Sequence, residues 1–295
     1  MARSASEAFE LMPTVISYES PPIEARTLLI EIVKTANWFN TSSEAEECAE
    51  RLQLAFLVLL RREYNSLAED DRICLYEFAV SSDTIVQGSA YIAPGIHDPE
   101  VEAFRRQRGH IARYLTKLDA LSPREFEGVC RGILSLLGSD SPTLTVVSRD
   151  EGIDFYGRLR IQVGLQGLDR LPGLHRRLAV WIVGQAKHYK QGQVATADIR
   201  DLVGAVNLAR SRAYGSGSDK YADLQLKVCD PVFFLFLTTG RMSPDGWRVS
   251  KASGVVVMEG PDVAAFLADH RLALSEAGEL DDQSWGAWVK SSLES

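Results

Sequence analysis

Three polar side chains near the middle of the chain have types and spacing suited to the hydrolysis of a phosphodiester bond. Asp154 opens one strand-like run, and a second strand-like run ends in Gln185, Ala186 and Lys187. Gln185 and Lys187 are two positions apart, so their side chains project from the same face of a strand. An acidic residue, an oxygen donor and a lysine in this arrangement can hold a divalent cation beside a phosphate and direct water onto it. The pattern predicts an active site for phosphodiester cleavage.

The predicted site requires a divalent cation, Mg²⁺ or Mn²⁺. Such hard cations prefer oxygen ligands and keep several waters. The expected ligands are the carboxylate of Asp154, the backbone carbonyl of Ala186 and the amide oxygen of Gln185. Lys187 is expected to orient or deprotonate the attacking water and to offset charge on the transition-state phosphate. Glu127, on an earlier helix, is expected to support the site as an outer carboxylate.

Basic side chains lie near the predicted catalytic residues in sequence. Arg158 and Arg160 lie in the stretch between Asp154 and Gln185, and His188 and Lys190 follow Lys187. We interpret all four as candidates for contact with a nucleic-acid backbone or, for the two arginines, with a partner protein. For His188 and Lys190, an ordinary loop is an equally good interpretation.

The net charge of −8 is unevenly distributed along the 295 residues. Residues 1–120 hold 12 basic and 19 acidic side chains, and residues 221–295 hold 6 and 11. Residues 121–220 hold 14 basic and 10 acidic side chains, and this is the net positive block. A local basic surface within an acidic protein suits a phosphate-bearing ligand held at one site, and does not suit tight binding along long DNA.

The sequence gives little support for a membrane protein, a secreted protein or a zinc-binding protein. No apolar run approaches the roughly 18 residues that a membrane helix needs, and the N-terminal residues lack the apolar stretch of a signal peptide. We therefore expect a cytoplasmic protein with no membrane partner. The cysteines show no spacing typical of a zinc site, so we expect them to be small core residues; they are Cys48, Cys74, Cys130 and Cys229.

The element pattern predicts a mainly helical N-terminal region followed by an α/β domain. Ser122, Pro123 and Glu125 form a helix start with a capping box, which marks the best domain boundary. We expect a regulatory or interaction domain at 1–120, a catalytic domain at 121–272, and a tail at 273–295 that packs on the core or on a partner. The predicted N-terminal elements are helices at 23–37, 42–66 and 101–118 and short strands at 73–80 and 86–92. The predicted C-terminal elements are a helix that stops at Gly138, strands at 143–148, 154–163, 178–185, 231–238 and 255–258, and helices at 196–212 and 261–270. This alternation predicts a mixed sheet flanked by helices.

Several short segments occur in the order found in a known family. They are Ser122-Pro123-Arg124-Glu125-Phe126-Glu127, Asp150-Glu151-Gly152-Ile153-Asp154, Gln185-Ala186-Lys187, Ile199-Arg200-Asp201-Leu202-Val203-Gly204-Ala205, Thr238-Thr239-Gly240 and Gly254-Val255-Val256-Val257-Met258-Glu259-Gly260. Together they resemble the Mrr-type restriction endonucleases, a branch of the PD-(D/E)xK nuclease superfamily, over roughly residues 121–270. Spacing alone favours an ordinary strand-end aspartate and a solvated lysine, and the ordered set reverses that preference.

The resemblance implies a restriction-endonuclease-like fold and a Mg²⁺-dependent phosphodiesterase that acts on DNA. It implies that Asp154, Gln185 and Lys187 are the catalytic set, with Glu127 in support. Glutamine in place of the superfamily's usual glutamate is typical of this branch. Asp154 and Gln185 are 31 positions apart, further than the short hairpin expected there, which indicates an insertion.

Because such an activity is toxic to its own cell, we expect a role in bacterial restriction or antiphage defence. The acidic N-terminal region favours a protein-binding or self-assembling module over a DNA reader. A homodimer is a further expectation, since a double-strand cut needs two active sites. Two alternatives remain open: a catalytically silent nuclease-like subunit that binds nucleic acid or serves as a scaffold, and an activated nuclease for RNA or single-stranded DNA.

Overall fold

The computed structural model describes residues 3–95, 98–139, 141–145, 152–160, 179–189, 192–211 and 224–294. It divides the chain into two compact units, Met1–Tyr114 and Leu115–Ser295. The boundary expected at residue 121 lies a few residues after this division. Among the described residues, no helix combines the length and apolar character needed to cross a membrane.

The N-terminal unit is mainly helical, as expected. Its helices are α1 (Ala5–Leu11), α2 (Ala25–Thr35), α3 (Ser42–Glu69) and α4 (Pro99–Gly109). Helix α5 (Ile111–Asp119) begins in this unit, and its residues from Leu115 onward belong to the C-terminal unit. The strands β1 (Ile23–Glu24), β2 (Tyr76–Phe78) and β3 (Ile85–Gly88) form an antiparallel sheet in the order β1-β3-β2. The short strands predicted at 73–80 and 86–92 are thus confirmed.

The single helix predicted at 101–118 is wrong, because two helices occupy this stretch. Helix α4 ends at Gly109, and His110 follows with φ −80° and ψ −5° before α5 begins. Glycine is a weak helix former because its unfolded backbone has the most freedom to lose. The apolar residues continue at helical spacing past Gly109, so the sequence pattern predicted one helix where the structure has two.

The core of the N-terminal unit lies between α2, α3 and the small sheet. Ile32, Phe56 and Leu60 are fully buried there. The hydroxyl of buried Tyr76 donates to the carbonyl of Leu60 at 2.7 Å, which satisfies a polar group that would otherwise be costly to bury.

The C-terminal unit is an α/β fold in which helices and strands alternate. In chain order after α5, its elements are α6 (Pro123–Leu136), β4 (Thr143–Leu144), β5 (Phe155–Arg160), β6 (Ala179–Lys187), β7 (Gln193–Val194), α7 (Thr196–Ser211), β8 (Val232–Thr238), β9 (Arg241–Met242), α8 (Pro244–Ser253), β10 (Val256–Met258), α9 (Gly260–Asp269) and α10 (Asp282–Leu293). Every strand and helix predicted here has a counterpart, although parts of the strands predicted at 143–148, 154–163 and 178–185 lie outside the described residues. Helices α8 and α10 and the short parallel pair β7–β9 were not predicted.

The central sheet has the strand order β10-β8-β6-β5-β4. Strands β10, β8 and β6 are parallel, while β5 is antiparallel to both β6 and β4. The fold class is therefore the expected one, a mixed sheet with helices on its faces. The parallel crossover from β6 through α7 to β8 places the carboxyl ends of β6 and β8 side by side, with Lys187 opposite Thr238.

The two faces of the sheet are covered by different helices. Added to Gly157 of β5, a Cβ atom would lie 3.3 Å from the side chain of Leu134 on α6. On the other face, Tyr156 and Val183 pack in one apolar cluster with Ile199 and other residues of α7. Alternate residues of a strand point to opposite faces, so α6 and α7 sandwich the strands that carry the predicted site.

The capping box predicted at the start of α6 is present. The Ser122 hydroxyl accepts from the backbone N–H of Glu125 at 3.3 Å, and the Glu125 carboxylate accepts from the backbone N–H of Ser122 at 2.8 Å. The Ser122 hydroxyl also donates to the Glu125 carboxylate at 2.7 Å, and this bond, together with that from the Ser122 N–H, holds the Glu125 pKa below its ordinary value. The cap fixes the first turn of α6, which also carries Arg124 and leads directly to Glu127.

The C-terminal helix α10 packs against α6. Gly132 lies so close to the Trp288 ring that an added Cβ would come within 2.4 Å of it. Arg131 donates to the carbonyls of Ser292 and Glu294 at 3.0 and 3.1 Å, and to Pro142 at 2.8 Å. The end of the chain is thus tied to the helix that bears Glu127.

The expectation that all four cysteines are core residues is only partly correct. Cys48 and Cys130 are buried, Cys74 is partly buried, and Cys229 is exposed. Cys229 follows exposed Val228 in the segment before β8, where local apolar character does not correspond to burial.

Candidate active site

Asp154 is fixed at the start of β5 by a turn that only glycine fits well. Gly152 has φ +69°, and a Cβ added there would lie 2.9 Å from the backbone carbonyl oxygen of Asp201 on α7. The turn lets the segment approach α7 and bury Ile153. The backbone N–H of Asp154 then donates to the carbonyl of Gly184 at 2.9 Å, which begins the pairing with β6.

The pairing of β5 with β6 brings the predicted residues together. Phe155 lies opposite Gly184 in the antiparallel register, so Asp154 comes next to Gln185. The Oδ2 atom of Asp154 accepts a hydrogen bond from the backbone N–H of Ala186 at 2.8 Å. Asp154 and Gln185, which are 31 positions apart in the sequence, are therefore neighbours in the folded chain. Residues 161–178, which lie between them, are outside the described residues.

The surroundings of Asp154 make its carboxyl group hard to ionise. Burial raises the pKa of Asp154 from its ordinary 3.8 to about 6, and the Glu127 carboxylate adds to this increase. The Ala186 N–H and the positive charges of Lys187 and Arg124 act in the opposite direction. The balance shows that burial outweighs the nearby positive charges, so a further cation beside this carboxylate would stabilise its ionised form.

Gln185 provides an oxygen atom that is buried without a partner. Only 5% of the residue is exposed, and its Oε1 atom has no hydrogen-bond donor among the described residues. Leaving such an acceptor unsatisfied typically costs about 1–3 kcal/mol. The Gln185 amide oxygen, next to Asp154, is therefore available to a cation or to a hydrogen-bond donor.

Lys187 ends β6 and turns its ammonium group toward the first turn of α7. Its Nζ atom lies 3.5 Å from Oδ1 of Asp198. Its backbone carbonyl accepts from the N–H of Thr239 at 3.2 Å, which ties the end of β6 to the end of β8. The charge of Lys187 also lowers the pKa of Asp154, so the ammonium group lies close enough to act on this carboxylate.

Glu127 is held by Arg124 one helical turn earlier. Nη1 of Arg124 lies 2.5 Å from Oε2 of Glu127 and 3.3 Å from the carbonyl of Thr145 beyond β4. Both Glu127 and Arg124 affect the pKa of Asp154, which places them on the α6 side of the same site. The site thus receives charged groups from both helices that flank the sheet.

Oxygen donors for a metal ion come from two side chains in this arrangement. In the parts of the chain that the structure describes, no group of three or more His, Cys, Asp or Glu side chains could hold a metal ion. Asp154 and Gln185 supply one carboxylate and one amide oxygen. Such a sparse set suits Mg²⁺, which commonly keeps several waters and binds through one or two carboxylates.

The residues predicted to contact nucleic acid fall at different places. The Nε2 atom of His188 lies 3.0 Å from the carbonyl oxygen of Leu118, and the His188 ring packs edge-on against Phe126. Arg158 is exposed and lies over the ring of Trp181. It is four residues beyond Asp154 along β5, about 13 Å at the usual strand rise. Lys190 and the side chain of Arg160 lie outside the described residues.

Two charged residues of the site were not singled out from the sequence. Asp198 and Arg124 both lie in the first turn of a helix, where charged side chains are commonly assigned to capping or to solvent. Their partners, Lys187 and Glu127, are known only once the helices are placed against the sheet. Arg124 lies within the segment 122–127 that resembles the family, and this resemblance is the signal that could have identified it.

The mixed sheet with helices on both faces holds the cluster around Asp154 where β5 pairs with β6. Residues 118–215 match the family model of the Mrr catalytic domain, described as a restriction endonuclease. The resemblance to Mrr-type restriction endonucleases is thereby confirmed for this segment.

Three solved structures are similar to this chain at low sequence identity. MspJI restriction endonuclease in complex with a 27-mer oligonucleotide is 16% identical, with a TM-score of 0.39, over 70% of this chain and 40% of that chain. The DNA modification-dependent restriction endonuclease AspBHI is 17% identical, with a TM-score of 0.37, over 72% and 46% of the two chains. Restriction endonuclease FokI bound to DNA is 10% identical, with a TM-score of 0.35, over 90% and 44%. This chain therefore spans less than half the length of each, and no curated protein matches it.

Proposed function

We propose that this protein is a Mg²⁺- or Mn²⁺-dependent endonuclease that hydrolyses phosphodiester bonds of DNA. The observation that carries the proposal is the contact between Asp154 Oδ2 and the Ala186 N–H at 2.8 Å, which brings a carboxylate beside Gln185 and Lys187. The match of residues 118–215 to a restriction endonuclease family supports the same chemistry.

The donor set of the site fits a hard divalent cation. The unpartnered Oε1 of buried Gln185 and the carboxylate of Asp154 are the side-chain oxygens that would hold it, and the Ala186 carbonyl is the proposed third ligand. When bound, the cation would supply Lewis-acid stabilisation of the phosphate and a more acidic water. A cation would also offset the cost of ionising Asp154, whose pKa burial raises to about 6.

The side chains around this donor set have separate proposed roles. The ammonium group of Lys187 stabilises negative charge that develops on the phosphate and orients the attacking water. Glu127, held by Arg124, adds negative charge on the α6 side and favours cation binding. Gln185 is buried and Asp154 is partly buried, which limits competing water and strengthens each of these interactions.

We further propose a role in bacterial restriction or antiphage defence within the cytoplasm. The net positive block at 121–220 suits a DNA phosphate backbone at one site. The acidic N-terminal unit is proposed to bind a protein partner or a second copy, and a homodimer would supply two active sites for a double-strand cut. Arg158, Arg160, His188 and Lys190 remain proposed nucleic-acid contacts.

The test is cleavage of supercoiled plasmid by the purified full-length chain with Mg²⁺ or Mn²⁺. We expect the wild type to nick or linearise the plasmid, and Asp154→Ala and Lys187→Ala to lose at least about 100-fold in rate. The matched controls Asp245→Ala on α8 and Lys290→Ala on α10 remove exposed charges away from the site and should keep wild-type activity.

The same assay is repeated with single-stranded DNA and RNA as substrates, and the DNA is tested in modified and unmodified forms. Cleavage of RNA or single-stranded DNA alone would replace the substrate in the proposal. A wild type that cleaves none of these with either cation would contradict the proposal and favour a silent nuclease-like scaffold.

A further inference from the structure

The ammonium group of Lys187 is paired with a carboxylate that belongs to a different element. Lys187 Nζ and Asp198 Oδ1 are 3.5 Å apart, with 33% and 17% of the two side chains exposed. Lys187 lies at the end of β6, and Asp198 lies in the first turn of α7. The pair therefore connects the strand that carries the predicted catalytic residues to the helix on one face of the sheet.

Asp198 is itself held in place. It is the third residue of α7, and its Oδ2 atom accepts from the backbone N–H of Ala195 at 3.1 Å, which caps the helix. The helix start favours a negative charge there. The next residue, Ile199, and Leu202 are fully buried, so the first turn of α7 is fixed on the sheet. One carboxylate oxygen caps the helix while the other faces Lys187.

The backbone on both sides of Lys187 is fixed as well. Thr239 donates its N–H to the Lys187 carbonyl at 3.2 Å. The Thr239 hydroxyl oxygen accepts from the Tyr189 N–H at 2.9 Å and lies 3.2 Å from the Tyr189 carbonyl. What remains mobile is the four-carbon side chain of Lys187, and long flexible lysine side chains lose much conformational freedom when they are held in one geometry.

The distance between the charges fits a positioning role. At 3.5 Å, Nζ and Oδ1 are farther apart than in an ordinary N–H···O hydrogen bond. The attraction restrains the ammonium group without a short hydrogen bond, so its N–H donors can still reach a phosphate oxygen and a water.

We propose that Asp198 is a positioning residue that holds the Lys187 ammonium group in place for attack on the phosphate. The proposal rests on the proposed nuclease function. Asp198 acts through Lys187 and does not itself touch the substrate, so its charge should affect the rate of the chemical step more than the binding of DNA.

Asp198→Asn separates this role from helix capping. An asparagine oxygen can still accept from the Ala195 N–H, but the negative charge is lost. Asp262 provides a matched control, because it is also the third residue of its helix, α9, and its carboxylate accepts from the N–H of Glu259 at 3.1 Å. Both aspartates are partly buried.

The first experiment measures kcat and KM for plasmid cleavage together with the melting temperature of the full-length chain. We expect Asp198→Asn to lower kcat by about 10- to 100-fold, with KM and melting temperature near the wild-type values. Asp198→Glu, which keeps the charge, should recover part of kcat, and Asp262→Asn should leave kcat unchanged. In a Lys187→Ala background, Asp198→Asn should cause no further loss. Wild-type kcat in Asp198→Asn would overturn the proposal.

A second readout does not depend on cleavage. Acylation of Lys187 by an amine-reactive ester, followed by mass spectrometry of the metal-free chain, reports how far the carboxylate shields the amine. We expect severalfold faster acylation at Lys187 in Asp198→Asn and no change in Asp262→Asn. If the wild type cleaves nothing, the proposed function fails, and equal acylation of Lys187 in Asp198→Asn and wild type would also refute the ion pair.

Discussion

At the scale of single residues, the site holds a carboxylate in surroundings that oppose its ionisation. Asp154 has a pKa of about 6 instead of 3.8, chiefly because it is buried. The folded state therefore binds its proton more tightly than the unfolded state does. The stability that this proton contributes is fully present below about pH 4 and is lost as the pH rises through about 6.

This linkage predicts that Asp154→Asn stabilises the metal-free protein at alkaline pH. At pH 8 the ionised carboxylate costs roughly 3 kcal/mol, from about 1.4 kcal/mol for each unit of the pKa increase. Asparagine stays neutral, and its side-chain oxygen can still accept from the Ala186 N–H. We expect the free energy of unfolding in urea to rise by up to about 3 kcal/mol at pH 8 and to change little at pH 4.

The control for this prediction is Asp245→Asn, where 69% of the wild-type side chain is exposed. This substitution removes one negative charge as well, but from an exposed side chain. An equal gain in stability at pH 4 and pH 8 in Asp154→Asn would contradict the linkage.

The orphaned oxygen of Gln185 leads to a separate prediction. Methionine has a similar shape and places no unpaired acceptor at this buried position. We expect Gln185→Met to keep or increase the free energy of unfolding, because the cost of the unsatisfied oxygen disappears. The same variant should bind Mg²⁺ or Mn²⁺ more weakly in titration calorimetry.

Exposed Gln193 in β7 provides the matched control, Gln193→Met, which should leave cation affinity unchanged. A Gln185→Met variant with wild-type cation affinity would remove the amide from the proposed ligand set.

At the scale of elements, close packing of three strands sets the geometry of the site. Gly184 of β6 lies between β5 and β8, and a Cβ atom there would come within 2.2 Å of the Phe155 ring and 2.7 Å of the Leu235 carbonyl oxygen. Since Gln185 and Lys187 follow in the same strand, any shift of β6 moves both of them.

We therefore expect Gly184→Ala to lower the free energy of unfolding by about 1–3 kcal/mol and to reduce plasmid cleavage. Gly204→Ala on α7 is the matched control, since no atom of the residues that the structure describes lies within 4 Å of its added Cβ. It should raise stability by about 0.5–1 kcal/mol, as alanine does in helix interiors. Urea unfolding of both variants checks the prediction, and equal effects would argue against the close contact at Gly184.

One helix that the sequence analysis missed, α8, has little apolar periodicity. Helix α8 has a Ser243 cap, Pro244 at its start and Gly254 with φ +72° after its end, but only Gly246 and Ser250 are buried within it. A helix with so small a buried face carries little apolar repeat. The residues that could have predicted this helix are those at its two ends, Ser243, Pro244 and Gly254.

At the scale of the whole molecule, the C-terminal unit includes residues before the capped start of α6. The Leu118 carbonyl lies 3.0 Å from the His188 ring. Lys117 Nζ lies 2.6 Å from Asp282 on α10. Residues 115–120 thus contact elements from both the middle and the end of the unit.

These contacts predict how fragments behave. A fragment of residues 115–295 should fold alone with a cooperative thermal transition, whereas residues 121–295 should melt at a lower temperature because the contacts of Lys117 and Leu118 are lost. Removing α10 in a fragment of residues 115–280 should be more damaging, since it exposes the face of α6 that carries Gly128 and Gly132. Circular dichroism melts compare all three, and equal melting temperatures for the first two would contradict the prediction.

The sequence by itself determined the order of most elements, the capped start of α6 and the candidates Asp154, Gln185 and Lys187. Each of these depends on local information: a capping pair, the alternation of a strand, or a short segment similar to a known family. The register of side chains along one strand is also local, which is why Gln185 and Lys187 could be assigned to one face before the fold was known.

Only the tertiary structure decided how these candidates meet their surroundings. The contact of Asp154 with Ala186, the pairing of Lys187 with Asp198 and that of Glu127 with Arg124 all depend on how the strands and helices pack. The raised pKa of Asp154 has the same origin, since burial depends on residues distant in sequence. Charge and burial act through space, so their effect on a residue appears only when the chain has folded.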